Sequence, residues 1–143
     1  MINYLMNKIT LNIHNISTAV EFTTKDSSRI REIISPHNSS IIRQSLAQAR
    51  LEPSHMTIAH SHPNTEEIYF ILSGNGEMAI DTERKMVGQG DAIGIVAGAK
   101  HQIRNTGSED LVFLCMCAPA YSDNDTVMCS NLLEPDQTAD REI

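Results

Sequence analysis

Residues 60–74 read HSHPNTEEIYFILSG. Two histidines, His60 and His62, stand one residue apart, and a Pro63-Asn64-Thr65 turn, a carboxylate at Glu67 and an apolar run ending at Gly74 follow them. Along a strand successive side chains alternate faces, so positions i and i+2 point the same way, about 7 Å apart. Both imidazoles then lean toward one point. Imidazole nitrogen and carboxylate oxygen suit divalent transition metals, with zinc bonds of about 2.0–2.2 Å. The same pair taken alone also suits two polar side chains on an edge strand, so its meaning depends on what the rest of the chain places around it.

A chain of 143 residues predicts one domain with a core large enough to need no disulfide or metal staples. The net charge of -7, with no cluster of Lys and Arg, argues against a nucleic acid or an anionic membrane surface as partner. The longest apolar stretch, LVFLCMCA at 111–118, is far short of the roughly 18 residues of a membrane span and is closed by Pro119. The first residues, MINYLMNKIT, lack a basic start followed by an apolar signal core, so the expected location is cytoplasmic. Cys115, Cys117 and Cys129 form an odd set, expected as reduced thiols in a reducing compartment. They lack the partners of a zinc-thiolate site and read as small buried residues.

Elsewhere short extended pieces alternate with turns. KITLNIHNI (8–16) alternates as a strand, with His14 on a surface or edge and not a ligand. EFTTKDSSRIREIIS (21–35) reads as two strands around an Asp26-Ser27-Ser28 turn, with Arg29 and Arg31 on one face, as solvated charges or paired with carboxylates. SIIRQSLAQARLEP (40–53) is read as a strand, and Arg43, Gln44, Gln48 and Arg50 are its candidate polar groups for a pocket. His55 falls in the loop after Pro53. Ser73-Gly74-Asn75-Gly76 predicts a tight hairpin through positive φ at Asn-Gly. Strands follow at GEMAID, KMV, AIGIV, HQIRN and LVFLCMC, with turns at 81–83, 90–91 and 106–110. Such a series predicts an all-β sandwich or barrel. IYFIL and LVFLCMC are apolar on both faces and call for cover on both sides, from a second sheet or a dimer partner. Beyond Pro119 the chain is acidic and turn-rich; Tyr121 to Val127 is either a lid over a barrel mouth or part of a loose tail, and the segment from Glu134 reads as mobile.

Residues 90–105, GDAIGIVAGAKHQIRN, supply a second motif. The spacing of His60, His62, Glu67 and Gly74, followed by Gly90, Gly98, His101 and Asn105, resembles the two characteristic motifs of the cupin superfamily. Two positions depart from it: Ser54 stands for the glycine that usually opens the first motif, and Val96 for a proline of the second. The resemblance implies a double-stranded β-helix, two antiparallel sheets rolled into a small barrel, at 40–120 and commonly dimeric. Residues 1–39 would pack on that barrel or on a partner subunit, and 121–143 would form the acidic tail. It also implies that His60, His62, Glu67 and His101 hold one divalent transition metal per chain (Fe, Mn, Ni, Co, Cu or Zn), with Gly74, Gly90 and Gly98 in turns. Glu66 is the alternative carboxylate; Glu67 keeps the spacing to Gly74 and shares a face with Tyr69 and Ile71. Three imidazoles and one carboxylate leave open positions on an octahedral ion. Tyr69, Ile71, Ile103 and Phe113 or Cys115 are expected to line the pocket beside it, and Met56, Met78 and Met116 to be packing. The functional expectation is a metal-dependent enzyme, a dioxygenase, isomerase or lyase acting on a small polar or chelating metabolite. The alternative is a non-catalytic module that binds a small molecule or sugar.

Overall fold

The computed structural model describes residues 10–134. In chain order the strands are β1 (Phe22–Thr23), β2 (Arg29–Ile34), β3 (Ser45–Leu51), β4 (His60–Ser61), β5 (Glu66–Ser73), β6 (Asn75–Ile80), β7 (Glu83–Gly88), β8 (Ala92–Ile95), β9 (His101–Asn105), β10 (Leu111–Ala118) and β11 (Val127–Met128). They form two antiparallel sheets, one of order β1-β2-β3-β10-β5-β8 and one of order β11-β4-β9-β6-β7. This is the expected all-β, double-stranded β-helix architecture, and β1 and β2 extend the larger sheet through β3.

Alternation decides what each strand buries. On β5, Glu67, Tyr69 and Ile71 face inward while Glu66 and Ile68 face out; on β10, Leu111, Phe113 and Cys117 face inward. The core joins Leu51, Ile71, Met78, Ile103, Leu111 and Phe113 from both sheets. Each such side chain contributes about 1.5–3 kcal/mol by leaving water. Met78 is packing, as expected. The outer face of the larger sheet is less covered than the sequence suggests: Ile68 is 46% exposed, and Phe70, Leu72, Val112, Leu114 and Met116 are only half-buried.

Two sequence expectations change. Ser73–Gly76 is not a hairpin, because β5 belongs to the six-stranded sheet and β6 to the five-stranded one. The segment is a corner between sheets, and positive φ falls at Gly74 (85°), where an added Cβ would lie 2.5 Å from the Asp110 carbonyl oxygen. Gly76 instead gives room: a Cβ there would meet the Leu111 side chain at 2.8 Å and the Arg104 carbonyl at 2.9 Å. The second change is at KITLNIHNI, where residues 10–15 form no strand and Ile16–Thr18 make a 3₁₀ turn; residues 8 and 9 lie outside the described residues. Leu11 and Ile13 are 83% and 78% exposed, so their alternation has no facing sheet to bury against.

Charged groups of the N-terminal strands pair with one another. Arg29 and Arg31 meet Glu21, and Arg50 bonds Glu21 and Asp110, which raises its already high pKa. Among the described residues His14 reaches only the Asn38 carbonyl, and His55 is an exposed loop residue.

Candidate metal centre

Strand register brings the first and second motifs together. His60 on β4 pairs directly with His101 on β9, and His62 follows two residues later on the same face. Glu67 comes from the opposite sheet, on β5, where β10 places Cys117 beside it and β8 places Ile95. The centroids of the His60 and His101 rings lie 4.3 Å apart, those of His60 and His62 5.0 Å, and those of His62 and His101 5.4 Å. One potential ligand atom from each of His60, His62, Glu67 and His101 lies within 4.8 Å of all the others, and all four residues are buried. Metal bonds of about 2.1 Å put neighbouring octahedral ligands ~3.0 Å apart and opposite ones ~4.2 Å apart, so the cluster has the right size.

The outward nitrogen of each ring is already engaged. His60 Nδ1 lies 2.8 Å from the Ile58 carbonyl, His101 Nδ1 3.0 Å from that of Ala99, and His62 Nδ1 3.2 Å from that of Asp125. A carbonyl only accepts, so Nδ1 carries a proton, and in the neutral form of each ring the Nε2 lone pair turns inward. Glu67 is oriented in the same manner: the Cys117 thiol donates to Oε2 at 3.0 Å, leaving Oε1 at 3.3 Å from His101 Nε2 and 3.7 Å from His62 Nε2. His62 Nε2, His101 Nε2 and Glu67 Oε1 are fully buried and find no hydrogen-bond partner among the described residues. Buried acceptors left unpaired cost about 1–3 kcal/mol each. A cation at their common centre satisfies all of them, so the donor set fits a divalent metal.

Electrostatics follow the same burial. Desolvation, helped by the neighbouring His101, lowers the His60 pKa and keeps that ring neutral. Burial alone would raise the Glu67 carboxyl, but His101, then Cys117 and His62, outweigh it and hold the group below its usual range as a carboxylate. Burial and then the Glu67 charge push up the thiols of Cys115 and Cys117 and the phenol of Tyr69, which all stay protonated. Cys117 spends its thiol on Glu67, and the ligand atoms that converge are those of His60, His62, Glu67 and His101.

A cavity of about 600 Å³ opens from this cluster. Its walls come from β1, β2, β3, β5 and β10 and from the segment after Pro119, and include Tyr69, Phe113 and Cys115. Ile71 and Ile103 do not line it; they lie in the core behind the histidines. Arg43, Gln44, Gln48 and Arg50 are also absent from the walls: the inward parity of β3 belongs to Ser45, Ala47 and Ala49, which turns Gln48 and Arg50 outward, and Arg43 and Gln44 precede the strand. Tyr121, Ser122, Asp123 and Thr126 also line the cavity, Tyr121 O–H donates to Asp123 at 2.9 Å, and β11 pairs with β4. Asp125 accepts the backbone N–H groups of Asn64 and Thr65, which ties this segment to the turn between the first-motif histidines and Glu67. The expected loose end from Glu134 lies almost wholly outside the described residues.

Two residues of the site escape a reading of the sequence. Cys117 acts through its cross-strand partner Glu67, a register that no local pattern reveals. Asp26 looks like an ordinary turn residue, yet its Oδ2 lies 3.7 Å from His60 Nε2. The motif glycines behave as expected, with positive φ at Gly74, Gly90 and Gly98; Ser54, in the usual glycine place, also takes positive φ (68°).

Comparison with known proteins agrees with this geometry. The family model described as the cupin domain matches residues 47–117. An uncharacterised protein of Methanocaldococcus jannaschii is 42% identical over 105 residues, covering 73% of this chain and 84% of that one. An oxalate-binding protein of Thermotoga maritima is 34% identical over 70 residues, covering 49% of this chain and 58% of that one. Among solved structures, the Streptomyces nucleoside dehydratase Pac13 superposes with a TM-score of 0.71 at 14% identity, covering 89% of this chain and 98% of that one, a likeness of fold alone. With both motifs on facing strands of a double-stranded β-helix and this match across the barrel, the chain belongs to the cupin family.

Proposed function

We propose that this chain binds one divalent transition metal through His60, His62, Glu67 and His101 and uses it as an enzyme on a small, oxygen-rich, chelating metabolite. The observation that carries this reading is the set of inward acceptors, His62 Nε2, His101 Nε2 and Glu67 Oε1, buried beside His60 without a donor. When bound, such an ion supplies Lewis acidity or redox chemistry to a ligand at its open positions, which suits an isomerase, lyase or dioxygenase. The chain's own part is to orient the ligands, through the Ile58, Ala99 and Asp125 carbonyls and the Cys117 thiol. It also shapes a cavity of about 600 Å³, of the size that takes a small metabolite.

A second reading, a binding module without turnover, is favoured by the name of the 34% identical relative, an oxalate-binding protein. Metal analysis of protein purified without chelators is expected to find about one transition metal per chain, with chelation lowering the melting temperature by several degrees. A metal-free protein whose stability ignores added metal sinks both readings. Turnover of hydroxy- and oxo-carboxylates, diketones and sugar phosphates separates them, since binding without product in every case favours the module.

The reading includes a homodimer in a reducing cytoplasm. It is supported by the half-exposed apolar face around Ile68, Phe70 and Leu114 and by the three unpaired cysteines. Light scattering at the monomer mass would remove the dimer.

A further inference from the structure

We propose that Asp26 selects the ligand of this site, favouring chelators that carry a hydroxyl or N–H donor beside their metal-binding oxygen over bare dianions such as oxalate. The inference rests on the metal-binding reading above. Asp26 belongs to the β1–β2 turn, outside both motifs, and it reaches the histidine cluster through His60 alone among the described residues. Its Oδ1 is saturated, accepting Thr24 Oγ1 at 2.5 Å, Ser28 Oγ at 2.6 Å and Ser28 N–H at 3.0 Å. Its Oδ2 has no donor among the described residues and faces the cavity beside His60. The backbone is fixed too: Ile58 N–H donates to the Asp26 carbonyl at 2.7 Å, while the Ile58 carbonyl accepts His60 Nδ1 at 2.8 Å. One residue thus sets the distance between the carboxylate and the imidazole.

A rigid acceptor at the open side of a metal site discriminates by polarity. A ligand oxygen bearing a proton satisfies Oδ2, whereas a deprotonated oxygen meets like charge in a site that already holds the Glu67 carboxylate. Lys25 is the cation nearest in sequence that lines the cavity, but its Nζ sits 3.4 Å from the carbonyls of Asp123 and Thr126. An α-hydroxy acid such as glycolate, coordinating through carboxylate and hydroxyl, offers the donor that Oδ2 needs and brings one negative charge rather than two.

The test uses the whole chain loaded with cobalt(II), whose visible absorption reports ligand exchange, titrated with glycolate and with oxalate. In Asp26→Asn the amide oxygen keeps the place of Oδ1 opposite Ser28 N–H, so the amide nitrogen turns a donor into the cavity. The ratio of oxalate to glycolate affinity is expected to rise about tenfold or more in that variant. An unchanged ratio with cobalt retained overturns the role of Asp26 while the metal-binding reading stands; failure of the wild-type chain to take up cobalt overturns both. Should Asp26→Asn not fold, the wild-type protein decides alone. Methoxyacetate, which lacks the donor, is expected to fall at least about tenfold further below glycolate than it does on aqueous cobalt(II), and a gap equal to that in water overturns the proposal.

Discussion

Strand β9 carries two buried polar residues on one face, His101 and Asn105, and the two ends of the barrel treat them in opposite ways. At the closed end, Asn105 is satisfied throughout: Nδ2 donates to the carbonyls of Leu51 (2.9 Å) and Glu109 (2.7 Å), and Oδ1 accepts Gly107 N–H at 2.9 Å. At the cavity end, His101 is held, among the described residues, only through Nδ1, and its Nε2 points with those of its neighbours at a centre where it finds no hydrogen-bond partner. The difference teaches which buried polar groups serve the fold and which serve a ligand. Saturation pins loops to the sheet, whereas convergent unpaired acceptors persist when something outside the chain completes them.

The largest expected break of this comparison is His101→Ala. It should lower metal affinity by well over a hundredfold, beyond the range typical of residues that only support a ligand, while shifting the metal-free unfolding free energy by under about 1 kcal/mol. Competition with a chromophoric chelator and urea unfolding read the two quantities. Asn105→Ala should do the reverse. It strands two carbonyls and an N–H, costing about 3 kcal/mol in urea unfolding, with metal content kept at the wild-type level. If both substitutions move the same quantity, the division between the ends fails.

Smaller effects sharpen it. Cys117→Ala frees Glu67 Oε2 and should weaken metal binding about tenfold, and Cys117→Ser, which restores a donor, should recover most of that loss. Equal affinity in all three proteins would show that the thiol does not orient the carboxylate. Glu66→Gln, on the exposed face of β5, should leave metal content unchanged and stability within about 0.5 kcal/mol. Loss of metal in that variant would move the carboxylate assignment from Glu67 to its neighbour.

Much of the candidate site is legible before folding is considered. Glu67 is distinguished from Glu66 by parity, since a period of two that buries Tyr69 and Ile71 also buries Glu67, and the structure keeps that order. His60 and His62 share a face for the same reason. The pocket walls are less legible: Tyr69 and Phe113 line the cavity but Ile71 and Ile103 of the same parity do not, because parity names a face and not a height along the barrel. Likewise Ser73–Gly76 has the composition of a hairpin and is a corner, because turn chemistry sets local φ but not which sheet the next strand joins.

By itself, then, the sequence determined the strand periodicity and the shared faces of His60 with His62 and of Glu67 with Tyr69, which depend on neighbours a few residues away, while its resemblance to the cupin motifs added His101 and the turn glycines. Only the tertiary structure decided that the free lone pairs meet, that Cys117 holds Glu67, and that Asp26 stands beside His60. These depend on pairings across 50 residues from Glu67 to Cys117 and across two sheets, where packing and register, rather than local preference, choose the partner.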